Sequence, residues 1–346
     1  MGKKIGIITI QSLNFGNRLQ NYALQEILKL LGFDVYTLKR YNEVSSLKKR
    51  ILSKIKVCLQ YCIHSKIVRF KDFNRNIRFS KYSVGANKFP AGISKDFDYF
   101  VTGSDQVWNP YFESVGGCDL LCFAESNQRV SYAASFGIAD FPEDKVKYWG
   151  SELDRFKAIS VREEEGKAIV EKISNKSAQI VLDPTLLLDG AKWEEVEVQP
   201  RFVPDKPYIF VYALKEKNEA FKNYLSKLSE KYTIVDILQR NKFGISPKLG
   251  PGEFVYLIHH AEYVLTDSFH ATVFSIIFRK NVHTFTRTGM DMSSRINSLA
   301  KLVGLKNNFD NDKTFYFNPS VDTEIVQDNL SYNREQSISF LSQAFK

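Results

Sequence analysis

Tyr263 to Ile277 reads YVLTDSFHATVFSII, and its residue types suit proton transfer beside an anion. An apolar run (Val264, Leu265, Thr266) ends in Asp267, Ser268, Phe269 and His270, and a small, apolar, helix-compatible segment follows at once. In an α/β protein, a strand followed by a polar tip and a helix presents side chains at the carboxyl edge of a sheet. The first N–H groups of the next helix have no intrahelical acceptors and favour an anion. A histidine placed there exchanges protons near neutral pH, and the chain has only five histidines. A Ser/Asp helix cap beside a packed histidine has the same spacing, so spacing alone leaves both readings open.

Other polar stretches follow apolar runs in the same way. Lys4 to Ile10 is a strand pattern that runs into the loop Gln11 to Asn17. Arg18 to Leu31 then repeats Leu19, Ala23, Leu24, Ile27, Leu28 and Leu31 at helical spacing, with Gly32 as its stop. Phe33 to Leu38 is a second strand, so the chain opens as βαβ and implies a parallel sheet. Phe97 to Val101 runs into Thr102, Gly103, Ser104 and Asp105, and Ala158 to Val161 runs into Arg162. Further strands are expected at Arg129 to Phe136 and Gln179 to Leu182, and helices at Val146 to Phe156 and Glu163 to Ile173.

A polar stretch with Pro200, Pro204 and Pro207 marks a domain boundary. A second βα series begins at Tyr208, with strands at Thr233 to Leu238, Tyr263 to Thr266 and Val282 to Phe285. Its helices are Asn218 to Tyr232, Gly252 to His260 and Ser294 to Val303, and Ser331 to Phe345 closes the chain. The expected domains are 1–195 (acceptor side, with a basic helical insert at about 42–81), 205–320 (donor side) and a closing helix at 321–346. Two Rossmann-like domains with parallel sheets facing a central cleft are the simplest architecture, with the polar strand tips directed at one site.

The composition narrows the function classes. At 44% hydrophobic residues the 346-residue chain can bury two cores. No apolar run approaches the length of a membrane span. The opening MGKKIGIITI lacks the pattern of a signal peptide, and the expected location is the cytoplasm. Cys58/Cys62 and Cys118/Cys122 lie four apart rather than in CxxC knuckles, which favours reduced, mostly buried thiols over zinc.

The net charge of +9 is concentrated. Lys39 to Lys81 holds thirteen Lys or Arg against two acids, a local +11 that exceeds the whole-chain value. Leu47, Ile51, Leu52, Ile55, Leu59, Cys62 and Ile63 form an apolar stripe among those lysines. It fits either a helix or helical hairpin packed on the first domain, or peripheral contact with an anionic membrane at the inner face. No RNA- or DNA-binding module is present, and nucleic acid is not an expected partner.

At these residues the chain resembles the polysaccharide pyruvyl transferase family. The matching segments are NFGNRLQNYALQ (Asn14 to Gln25), FDYFVTGSDQVWN (Phe97 to Asn109), ISVREEEG (Ile159 to Gly166), VLDPTLLL (Val181 to Leu188), TDSFHATVFSI (Thr266 to Ile276) and SSRI (Ser293 to Ile296), in this order. The resemblance implies a glycosyltransferase-B-like fold. It also implies ketal pyruvyl transfer, in which the enolpyruvyl unit of phosphoenolpyruvate moves onto a sugar of a cell-surface polysaccharide or its lipid-linked precursor and phosphate is released. The family pattern Arg-Leu-His appears here as Ser268-Phe269-His270. The arginine able to clamp the donor is absent, so other residues hold the donor anion or the donor differs.

By motif position, Arg162 and Arg295 are the expected donor-binding arginines, joined by Ser268, because guanidinium matches carboxylate and phosphate in two-toothed fashion. Arg18 and Arg287 are weaker donor candidates, and Arg18 is placed with the acceptor loop. His270 is expected as general acid or as a cationic anchor for phosphate. Asp105 is either the carboxylate that takes the hydroxyl proton or a helix N-cap. Asp267 orients the histidine or caps its helix. Asn14, Gly16, Asn17, Arg18 and Ser104 form the expected acceptor cradle. The chain has neither GxGxxG nor a clustered metal motif, so neither cofactor nor required metal is expected, with phosphoenolpyruvate as co-substrate. His259 and His260 end a helix and suit its dipole. Two rivals remain: a nucleotide-sugar glycosyltransferase of the same fold, and a non-catalytic glycan-binding homologue.

Overall fold

The computed structural model describes residues 2–41, 65–201, 203–238, 249–286, 293–310 and 314–346. Most of the basic stripe, Cys58, Cys62 and Arg287 lie outside these residues, so the membrane-contact expectation falls largely outside them too. Among the described residues, no helix is long and apolar enough to cross a membrane.

The chain divides into two compact units. The first comprises Met1–Ile63, Asn74–Leu187 and Asn333–Lys346; the second comprises His64–Phe73 and Leu188–Tyr332. The boundary expected near 195–205 therefore falls inside the second unit, because Trp193 is fully buried against Phe274, with ring centroids 4.7 Å apart.

The first unit is built on a seven-stranded parallel sheet in the order β3-β2-β1-β4-β5-β6-β7. The strands are β1 (Lys4–Ile8), β2 (Asp34–Arg40), β3 (Phe79–Val84), β4 (Tyr99–Asp105), β5 (Arg129–Ala134), β6 (Ala158–Val161) and β7 (Gln179–Ile180). Helix α1 (Phe15–Leu30) follows β1. Its start is set by Asn14, whose side chain accepts from the Asn17 N–H at 3.4 Å. Its end is set by Gly32, at φ 88°, where the Phe33 N–H returns to the Leu28 carbonyl at 3.1 Å. Helices α3 (Glu143–Leu153) and α4 (Glu164–Ile173) complete the repeats. Every residue of β5 is buried, as expected for a parallel strand covered on both faces. Around it Trp108, Phe136, Phe141, Trp149 and Phe156 pack edge to face or tilted.

The second unit has a five-stranded sheet in the order β12-β11-β10-β8-β9. Strands β8 (Tyr208–Tyr212), β9 (Thr233–Asp236), β10 (Tyr263–Thr266) and β11 (Asn281–Thr284) are parallel, and β12 (Phe315–Phe317) runs antiparallel to β11. Helix α2 (Ser65–Phe73) comes early in the chain; α5 (Gly190–Glu194), α6 (Glu219–Ser229), α7 (Pro251–His259), α8 (Phe269–Ile277) and α9 (Ser293–Leu302) follow.

Two further expectations need correction. The described part of the basic segment is not one helical insert on the first domain: α2 belongs to the second unit and β3 is an edge strand of the first sheet. Its cations are also partly neutralised, Arg69 by Glu253, Arg78 by Asp34 and Lys81 by Asp96. The closing helix α10 is longer than expected, Pro319–Ala344, and the division between the units falls within it. Its last turns dock in the first unit: Arg334 Nε donates to the Leu186 carbonyl at 2.6 Å and Ser337 Oγ accepts from the Leu182 N–H at 3.1 Å.

Candidate functional site

In each sheet one pair of neighbouring strands is where the strand order reverses. In the first unit it is β1 and β4, since β2 and β3 extend one way and β5 to β7 the other. In the second it is β8 and β10, since β9 lies on one side and β11 and β12 on the other. The crevice outside the carboxyl ends of such a pair is the ligand site of open α/β sheets. The sequence-derived residues fall on both crevices.

At the first crevice Asn17 Nδ2 donates to Asp105 Oδ2 at 2.5 Å, joining the loop after β1 to the tip of β4. Ser12 Oγ bonds Asn17 Oδ1 from the other side. Asp105 closes β4 with φ 67°, a left-handed conformation that Asp tolerates better than most residues. It is the end of a strand and not a helix N-cap. Gly103, at φ 125°, cannot be replaced: a Cβ there would lie 2.0 Å from the Tyr132 carbonyl oxygen. The Gly103–Ser104 peptide is cis.

Behind this tip lies a buried ionic network. Arg162 is 2% exposed. Its Nη1 meets Asp183 Oδ2 at 2.9 Å, its Nη2 meets Asp105 Oδ1 at 3.5 Å and its Nε lies 3.6 Å from Glu163 Oε2. Burial alone would lower the Arg162 pKa, but the charges of Asp105, Asp183 and Glu163 outweigh it and the net shift is upward. The guanidinium is held permanently charged among carboxylates, not presented to an anionic ligand. Ser104 is likewise fully buried, its Oγ 2.9 Å from Asp183 Oδ2 and 3.1 Å from the Ala133 carbonyl. The expectations that Arg162 touches donor and Ser104 touches acceptor do not match these surroundings; Arg162 braces Asp105 and Asp183, and Ser104 braces Asp183. Gly16 and Arg18 lie buried in the first turn of α1. Burial lowers the Arg18 pKa to about 10, which keeps it charged at neutral pH.

At the second crevice the geometry differs. Ser268, not Asp267, is the N-cap of α8, and the two carboxylate oxygens of Asp267 accept the backbone N–H groups of Leu214 at 2.8 Å and Lys215 at 3.0 Å. The loop after β8 is thereby clasped to the tip of β10. Ser268 is the N-cap residue of α8 but makes no side-chain cap bond. His270 lies in the first turn of α8, 7% exposed, edge-on to Phe269 with centroids 5.3 Å apart. Thr272 Oγ1 bonds Thr284 Oγ1 at 2.7 Å and so ties that turn to β11. Arg295 sits near the start of α9, 9% exposed.

Some residues were not foreseen. Asp183, just past the expected strand Gln179 to Leu182, carries no expected role, although VLDP lies within the matched segments. Gln20 links the first crevice internally, its Nε2 donating to Thr9 Oγ1 at 2.6 Å and its Oε1 accepting from the Ser104 N–H at 2.9 Å. In the second unit a cavity of about 220 Å³ beside β8 and β9 is lined by Lys215, Glu216, Lys217, Lys222 and Asp236. Lys217 Nζ meets Asp236 Oδ2 there at 2.5 Å.

The comparisons with known proteins agree with this architecture. A protein of Listeria monocytogenes assigned as a UDP-N-acetylglucosamine 2-epimerase superposes with a TM-score of 0.51 at 11% identity, covering 99% of this chain and 91% of that one. The UDP-GlcNAc 2-epimerase of Methanocaldococcus jannaschii gives 0.47 at 13% identity, covering 95% and 99%. Staphylococcus aureus MnaA, solved with UDP, gives 0.46 at 12% identity, covering 96% and 90%. No curated protein matches the chain. The fold is therefore α/β of the glycosyltransferase-B type. The family model for polysaccharide pyruvyl transferase matches residues 14–288, and the chain belongs to that family. Membership implies a transferase of polysaccharide biosynthesis.

Proposed function

We propose that the protein is a ketal pyruvyltransferase that uses phosphoenolpyruvate and a sugar acceptor of a cell-surface polysaccharide or its lipid-linked precursor. One observation carries this reading: the helix bearing His270 starts at the second unit's strand reversal with no side-chain cap, where an anion can accept from its first turn. The donor is a small multiple anion with a carboxylate and a phosphate, and such a helix start suits it.

The reaction protonates the donor's methylene carbon, and a sugar hydroxyl adds to the neighbouring carbon. Phosphate then leaves and a second hydroxyl closes the ketal. His270 donates the proton or, as a cation, holds the phosphate. Asp105 accepts the hydroxyl proton, its position set by Asn17 and by the Arg162 network. Arg295 and Ser268 bind donor oxygens, and Lys215 supplies positive charge from the loop held by Asp267. Asn14 and Asn17 face the acceptor. Peripheral contact of the basic segment 39–81 with an anionic membrane would bring the enzyme to a lipid-linked acceptor.

The test is a thermal shift with phosphoenolpyruvate, UDP, CMP and UDP-galactose, followed by phosphate release in the presence of acceptor sugars. Ligand binding to the folded state raises the midpoint by mass action. A rise with phosphoenolpyruvate that disappears in Arg295→Ala supports the donor assignment. A rise with UDP-galactose only, the outcome that Ser268 in place of arginine would favour, replaces pyruvyl transfer with glycosyl transfer.

A further inference from the structure

Away from both crevices, the second unit gathers two imidazoles and a carboxylate that neither the family match nor the proposed chemistry uses. His259 is the last residue of α7 and His260 its C-cap. His259 Nδ1 lies 2.9 Å from Glu197 Oε2, and His260 Nε2 lies 3.4 Å from Glu197 Oε1. One donor atom from each of the three residues falls within 4.8 Å of the others. Donors around a tetrahedral zinc ion are separated by about 3.4 Å, given metal–ligand bonds of about 2.0–2.1 Å. Each imidazole already faces one oxygen of the Glu197 carboxylate, at 2.9 and 3.4 Å.

Three further observations show a cluster held in place. The His259 ring stacks on Phe278, with centroids 4.2 Å apart and planes at 15°, and the His260 ring lies 4.1 Å from that of Tyr256. Glu197 is fixed by its backbone, its N–H donating to the Trp193 carbonyl at 3.1 Å and the next N–H, of Val198, to the Gly252 carbonyl at 3.1 Å. The remaining ring nitrogen of His259, Nε2, lies 3.9 Å from Glu194 Oε1, an ion-pair distance that the exposed Glu194 side chain can close to a hydrogen bond. A carboxylate behind the far nitrogen of an imidazole is the arrangement that orients metal-bound histidines and raises their basicity.

We propose that Glu197, His259 and His260 bind a borderline divalent transition-metal ion, zinc in the first instance, with Glu194 positioning His259. Two imidazoles and one carboxylate suit zinc and disfavour magnesium or calcium, which prefer all-oxygen sets. Three protein ligands leave a coordination position for water. The ion would join the segment after α5 to the end of α7, a structural role separate from pyruvyl transfer.

The experiment is a zinc titration of chelator-treated full-length protein by calorimetry, comparing wild type with His259→Ala, Glu197→Gln and Glu194→Gln. Cysteine-bound zinc would be common to all four proteins and cancels in the comparison. Wild type is expected to bind one equivalent more than His259→Ala. Glu197→Gln should weaken that equivalent by at least about 10-fold, and Glu194→Gln by about 10-fold with the metal-free unfolding midpoint unchanged. His260→Ala, whose side chain is 43% exposed, repeats the test if His259→Ala fails to fold. Equal stoichiometry and affinity in wild type and the histidine variants would overturn the proposal and leave Glu197 as a simple ion-pair partner of the two histidines.

Discussion

The two crevices hold their polar tips by different means. At the tip of β4, Asp105 is fixed by side chains: Asn17 from the loop after β1 and Arg162 from the end of β6, with Asp183 and Glu163 behind. At the tip of β10, Asp267 accepts two backbone N–H groups of one loop, those of Leu214 and Lys215. At the first crevice the helix that follows β1 has its own cap in Asn14, whereas at the second the helix that follows β10 has no side-chain cap. The first tip is a prebuilt, internally neutralised network suited to holding a base in one position. The second keeps a helix start available to an anion.

Removing the cation of the first network should produce the largest effect. Arg162→Met leaves Asp105, Asp183 and Glu163 close together and partly or fully buried without their counter-charge. Breaking one side of a buried ionic set costs about 3–5 kcal/mol, and urea denaturation should show a loss of that order. A loss below about 1 kcal/mol would mean that water or rearranged hydrogen bonds replace the guanidinium, and the contrast between the tips would collapse.

His270→Gln tests the second tip by activity. Removing a general acid typically costs about 100-fold or more in turnover, read as phosphate release from phosphoenolpyruvate. The unfolding midpoint should stay close to that of wild type, because this tip is organised by backbone and by Thr272. Unchanged turnover would remove His270 from the chemistry.

Much of this layout was legible in the chain. β8 is buried throughout and appears as an unbroken apolar and aromatic run, while β5 is buried throughout although it carries Arg129 and Ser131. β6 and β10 match the sequence expectation to the residue, since each is a short, mostly apolar run that ends at a polar tip. β3 was missed because its buried residues alternate with Lys81 and Ser83 inside a basic segment, and β12 because three residues carry no period. Asp105, Arg162 and His270 stood out as polar residues ending apolar strands. Their partners did not: Arg162 meets Asp183 across 21 residues, Asp105 across 57, and Ser104 meets Asp183 across 79. Only strand order brings these together. Burial, which turned Arg162 and Ser104 from ligand contacts into braces, likewise depends on what covers the strand ends.

The units also differ in how they bury a basic group, and pH separates them. Arg162 keeps its charge because carboxylates surround it. His283 on β11 is enclosed mainly by rings, with Tyr224 at 4.0 Å and Tyr316 at 6.3 Å, and its Nδ1 makes no hydrogen bond. Desolvation lowers its pKa from 6.5 to about 4, against a weak opposing pull from Asp310. Because the folded value is depressed, the unfolded chain binds the proton first. Stability is therefore complete above pH 6.5 and falls as pH drops from 6.5 towards 4. With allowance for its partial exposure, the loss is about 2 kcal/mol. His283→Phe should flatten that part of the stability–pH curve, measured as the difference from wild type so that carboxylate titration cancels. Equal slopes would place a charged imidazole in the folded state.

The smallest effect should come from Asp267→Ala, and it sharpens the contrast most directly. The change removes the acceptor of the Leu214 and Lys215 N–H groups. Leu214 is 36% exposed, so water can replace the lost oxygens, and the cost should be about 1 kcal/mol instead of the larger penalty of a buried orphan. Hydrogen exchange should quicken at Leu214 and Lys215 while β8 and β10 keep their protection, since the strands pair through their own backbones. Asp267→Asn, which retains one acceptor oxygen, should fall between the two. Exchange that instead spreads through both strands would show the carboxylate supporting the sheet itself, and the second tip would then be as tightly determined as the first.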